Sequence, residues 1–159
     1  MAGWRALDEP TISRAAANLL SAERWLLTAT LTEVAAGLGW TVTRFKPERP
    51  RIGAFLDAGH GLGPTGAYFR LDGDARVREI SMNITEEIAA DAPGADDFKQ
   101  DIFGTAASAL TDAHGRPSEL HPGAEPEIWW RRDTATFRLV TKSDAIALQL
   151  TPNTLLVGD

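Results

Sequence analysis

Apolar and polar positions alternate most regularly between Glu127 and Thr151, in the run EIWWRRDTATFRLVTKSDAIALQLT. Ala135, Phe137 and Leu139 alternate with Thr136, Arg138 and Val140. Ile146, Leu148 and Leu150 alternate with Ala147, Gln149 and Thr151. A period of two marks a strand with one face buried and the other wetter. Arg132-Asp133 and Lys142-Ser143-Asp144 interrupt the alternation, so the stretch predicts three strands joined by two tight turns.

The remaining pattern predicts what packs around these strands. Asp8-Glu9-Pro10 is a helix start, and Ile12, Ala15, Ala16, Leu19 and Leu20 continue it as one apolar stripe. Trp25, Leu26 and Leu27 are expected in the core at a helix junction. Thr30 and Glu33 fit a capping box, Leu31, Val34 and Leu38 form the next stripe, and Gly37 and Gly39 are expected to end that helix. Strands are then predicted over Trp40–Lys46, Ile52–Asp57, Ala67–Leu71 and Val77–Ile84, with Val77 out of phase and therefore a bulge. From Asp96 to His114 the period becomes helical, with Phe98, Ile102, Ala106 and Leu110 on one face expected to pack on Phe137, Leu139, Ile146 and Leu148. Arg116 to Pro126 reads as a crossover, and Leu155, Leu156 and Val157 as a last docking segment. Two helices, four strands, a long helix and three strands predict one α+β domain over residues 1–159, built on a mainly antiparallel sheet of about seven strands.

Composition narrows the possibilities. At 159 residues the chain is long enough to bury a core, and without cysteine it has neither disulfides nor thiolate metal sites. The start MAGWRALDEPTIS lacks the basic and apolar regions of a signal peptide, and no run approaches a bilayer span, so a cytoplasmic protein without a membrane is expected. A net charge of −6 disfavours nucleic acid and suits either solubility or a basic partner.

No strong catalytic or metal motif is present, and no cofactor is expected. Asp57 and His60, in Asp57-Ala-Gly-His60-Gly-Leu-Gly, are the best candidates for an acid/base pair or ligands, although the loop lacks the glycine register and following helix of a phosphate cradle. A flexible connection whose glycines supply positive φ explains it as well. His114 and His121 have no recognised ligand spacing. Glu86, Glu87, Asp91, Asp96, Asp97 and Asp101 form an acidic neighbourhood suited to a cation or a basic protein, or simply to a solvated helix start. Trp129 and Trp130 must face opposite sides of a strand, so one is expected in the core and the other exposed or under a helix; an exposed one beside Arg131 would suit an interface.

Several of these features occur together. They are Trp4-Arg5-Ala6-Leu7, Trp25 followed by Leu38-Gly39-Trp40, the Asp57–Gly63 loop, the Ala107–Pro117 run with ALTDAHGRP, Trp129-Trp130 and Leu150-Thr151-Pro152-Asn153. As a set they resemble a family of small uncharacterised actinobacterial proteins, and the resemblance spans nearly the whole chain. It implies a bacterial cytoplasmic protein from a toxin–immunity or secretion neighbourhood and supplies no catalytic residues. The expectation is a non-enzymatic module that binds another protein, most concretely an immunity protein for a basic toxin. A secretion chaperone that forms a homodimer, and a small hydrolase or ligand-binding protein using Asp57 and His60, are the alternatives.

Overall fold

Two runs of four strands meet at their last members. The computed structural model describes residues 3–156. The chain runs α1 (Glu9–Leu20), α2 (Leu31–Leu38), β1 (Thr41–Arg44), β2 (Ala54–Asp57), β3 (Ala67–Leu71), β4 (Val77–Asn83), α3 (Ala95–His114), β5 (Glu119–His121), β6 (Glu127–Arg131), β7 (Ala135–Thr141) and β8 (Ile146–Pro152). The strands form one sheet of order β1-β2-β3-β4-β8-β7-β6-β5, antiparallel at every pairing. This is the expected α+β architecture with eight strands. The addition is β5, three residues inside the stretch read as a crossover, too short to show a period.

The register assigns the two faces. Ala54, Phe69, Ile80, Leu150, Phe137 and Trp130 stand in one row across six strands. Leu56, Ala67, Met82, Leu148, Leu139 and Ile128 stand in the next. Ile12, Ala16 and Leu19 of α1, Leu31, Val34 and Leu38 of α2, and Ala106 and Leu110 of α3 share one core with these rows. All three helices therefore cover the same face. The anticipated bulge lies beside Val77 in β4, where Arg70 pairs with Glu79 and Leu71 with Val77, leaving Arg78 as the extra residue.

Local chemistry sets the helix ends. The Asp8 side chain accepts from the Thr11 amide at 2.9 Å, and the Thr30 amide donates to the Glu33 carboxylate at 2.9 Å. Gly39 caps α2 at φ 74°. Gly37, expected as a second stop, lies inside α2, because a Cβ there would come 2.3 Å from the Trp25 ring. Other expectations shift in detail. Leu27 is exposed, on a left-handed turn at φ 67°. Ile52 lies in a short 3-10 turn outside β2 and is also exposed. Phe98 lies half-buried against Trp4, ring centroids 5.2 Å apart, so α3 packs on the sheet through Ala106 and Leu110, with Ile102 at the margin. Of the anticipated final segment, Asn153–Leu155 form a 3-10 turn and Val157 lies outside the described residues.

Candidate functional site

The opposite sheet face carries no helix and is largely polar. Its central row runs Phe55, Tyr68, Ser81, Gln149, Arg138, Trp129 and Glu119 from β2 to β5. In the β8–β6 part Arg138 is the hub. It donates to Glu127 at 3.2 Å, to Glu79 at 3.3 Å, to Gln149 at 2.6 Å and to Thr151 at 3.2 Å. Thr151 in turn donates to Glu79 at 2.7 Å. The Arg138 Nε is buried and has no hydrogen-bond partner among the described residues.

Neither tryptophan is exposed, which corrects the expectation of an exposed Trp129 or Trp130. Trp130 faces the core, and its Nε1–H donates to Gly115 at 2.9 Å. Trp129 faces the helix-free side yet is only 7% exposed. His121 lies over it with ring centroids 4.3 Å apart, and the Arg131 and Arg138 guanidinium groups sit 5.3 and 5.5 Å from its ring centre. Its indole N–H donates to Glu127 at 2.8 Å. Flat side chains of β5, β7 and its own strand thus close over the ring without a helix. Arg131 also pairs with Glu119, and this hydrogen bonding holds the Glu119 carboxyl below the usual carboxylate range.

The other predicted residues collect at one end of the sheet. The Asp57–Gly63 loop follows β2, and Asp57 accepts from the Gly59 amide at 2.8 Å, an Asx-type turn. Arg5 fastens this loop through the Gly61 carbonyl at 3.0 Å, while its own amide donates to Glu86 at 2.8 Å. Thr65 reaches Glu87 at 3.5 Å. Asp57 and His60 border only a crevice of about 10 Å³, too small for a ligand. Among the described residues no three His, Asp or Glu side chains gather as a metal site needs. No helix among them is long and apolar enough to cross a membrane. Beyond Glu87, the exposed carboxylates Asp91, Asp96, Asp97 and Asp101 continue along the approach to α3 and its first turns. Of these only Asp96 has an ion-pair partner among the described residues, Lys99 at 3.9 Å.

The structure adds residues that the sequence reading did not single out. A depression of about 510 Å³ lies on the helix-free face, with Phe55 and Tyr68 on one side and Ser81, Asn83, Lys142 and Gln149 on the other. The outward phase of β7 and β8, which holds Arg138, Gln149 and Thr151, was the available signal. Assembling it required the pairing of β4 with β8, which alternation alone does not specify. His114, at the end of α3, packs on Phe137, and burial, aided by the charge of Arg132, pushes its imidazole below the ordinary range.

No curated protein matches the chain in sequence. Among solved structures it is similar to YjgB, a DUF4309 family protein from Bacillus subtilis, at 12% identity and a TM-score of 0.46 over 88% of this chain and 97% of that one. A family model described as a family of unknown function, DUF6301, matches residues 12–152, and the chain belongs to that family.

Proposed function

We propose that this protein is a non-enzymatic binding module that engages a basic protein through the acidic end of its sheet. The observation that carries the reading is the stretch from Glu87 through Asp91, Asp97 and Asp101, which lies exposed and without ion-pair partners among the described residues. Unpaired charge of one sign at one place raises the rate of encounter with a partner of the opposite sign. The −6 net charge acts in the same direction. The narrower reading is an immunity protein of an actinobacterial cytoplasm that neutralises a basic toxin, with the Asp57–Gly63 loop at the margin of the contact.

The test is surface plasmon resonance of the purified chain against the product of the gene beside its own. Saturable binding is expected, with association of Asp96→Lys/Asp97→Lys slowed roughly tenfold at low ionic strength and much less at high. A variant that associates at the parent rate at low salt would remove the acidic end from the interface. A homodimer that binds no such product would favour the chaperone reading, and His60-dependent turnover of a small molecule would favour the enzyme.

A further inference from the structure

We propose that the depression on the helix-free face binds a small organic acid, with its single carboxylate on Lys142 and a flat apolar body against Tyr68 and Phe55. This site borders the acidic surface at Thr65, which lines the depression and donates to Glu87 at 3.5 Å, but it uses other residues and needs no protein partner.

The floor is built by register. Asn83 of β4 stands opposite Ala147 of β8, which stands opposite Val140 of β7. Ala147 offers only a methyl group at this point. The Lys142 side chain, from the β7–β8 turn, reaches the Asn83 carboxamide oxygen on the far side of β8 at 2.9 Å. One row away, Ser81 and Gln149 lie opposite each other, and the Gln149 amide donates to the Ser81 hydroxyl at 3.4 Å.

Charge accounting identifies the ligand. Glu79 is the carboxylate in the lining, and it is already committed to Arg138 and Thr151, with Arg70 at 3.8 Å. Lys142 forms no ion pair among the described residues, and its identified partner is the neutral Asn83 amide. An ammonium carries three donors, so two remain for a ligand. The Asn83 oxygen accepts from Lys142, so its amide N–H₂ is the end of the carboxamide left to donate to a ligand. One compact cation beside amide and hydroxyl groups suits one carboxylate. A phosphate dianion would more often be met by an arginine fork or several cations.

The apolar wall is held in advance of binding. The Tyr68 hydroxyl donates to the Ile52 carbonyl at 2.5 Å, and its ring lies 5.1 Å from that of Phe55. Gly53, at φ 93°, permits this, because a Cβ there would come 2.2 Å from the tyrosine oxygen. The volume of about 510 Å³ lies within the roughly 300–1,000 Å³ of small-ligand sites.

The experiment is calorimetric titration of the full chain with 3-phenylpropionate and with its uncharged analogue 3-phenylpropanamide. The acid should bind saturably and at least tenfold more tightly than the amide. Lys142→Gln should weaken the acid to the level of the amide and leave the amide unaffected. Gln149→Glu, similar in shape but negative, should weaken the acid independently. Asp96→Lys/Asp97→Lys should bind the acid as the parent does, so the protein-binding reading can fail while this one stands. Equal affinity for acid and amide, unchanged binding by Lys142→Gln and Gln149→Glu, or no saturable binding of the acid to the parent chain would each overturn the proposal.

Discussion

The indole N–H of Trp130 donates to the backbone carbonyl of Gly115 at 2.9 Å, tying β6 to the end of α3. The bond fixes where the long helix stops relative to the sheet it covers. Trp130→Phe retains a ring against Phe137 but leaves the Gly115 carbonyl without this donor. A loss of about 1–2 kcal/mol is expected, visible as a lower urea midpoint with an unchanged slope.

Arg138 lies between two carboxylates, Glu79 and Glu127, and its side chain is 13% exposed against 12% for that of Glu79. Removing the guanidinium leaves the largely buried Glu79 and the partly exposed Glu127 facing the same space without a counter-charge. Arg138→Met should therefore destabilise the fold by about 3–5 kcal/mol in denaturant titrations. Adding Glu79→Gln should restore part of that loss, so the double variant is less destabilised than the sum of the singles.

Leu110 is fully buried between α3 and the sheet, whereas Phe98 is half-buried against Trp4. Leu110→Ala should cost about 2–5 kcal/mol. Phe98→Ala should cost less, about 1–2 kcal/mol, despite the larger side chain, because the ring lies at the margin of the core and is partly solvated in the folded state. Thermal unfolding of the two variants side by side checks the order.

Burial holds the His114 imidazole below the ordinary histidine value of about 6.5, and its Nε2 has no partner among the described residues. The folded state therefore favours neutral His114, and the unfolded chain takes up its proton first as the pH falls. This contribution to stability is fully present above about 6.5 and declines as the pH drops below it toward the depressed folded value. The melting temperature should fall between neutral and mildly acidic pH. His114→Leu should flatten that segment of the profile.

The sequence made the strands and helices legible where one face is wet and the other dry. Phe137, Arg138 and Leu139 announce their faces by phase alone, and Thr30 with Glu33 announces a helix start. The tryptophan pair was legible only in part. Alternation puts Trp129 and Trp130 on opposite sides, but whether an outward ring is wet depends on His121 and Arg138 lying beside it, a matter of pairing between strands. Lys142 was hidden for the same reason: it read as a turn residue until β4 was placed beside β8, bringing it to Asn83. Position 53 shows the limit of local reading, since its glycine is explained by a tyrosine in the next strand.

The meeting of β4 with β8 has a consequence for how the molecule can diversify. Each half of the sheet is a four-stranded meander, β1–β4 preceded by α1 and α2 and β5–β8 preceded by α3, joined last strand to last strand. The strand order, though not the helices, is the layout of a two-fold dimer written on a single polypeptide, and the residues show no internal repeat. A symmetric dimer must change both copies of a surface at once; a single chain is free of that constraint. Along the central row, the place held by Phe55 on the second strand of one half is held by Trp129 on the second strand of the other. The indole and the side chains stacked on it fill their half, while the phenylalanine and Tyr68 stand beside an open hollow. The outer strands of the second half can thus serve as ballast for the sheet while the seam between the halves, with Lys142 and Gln149 on one side and Phe55 and Tyr68 on the other, remains free to acquire a ligand.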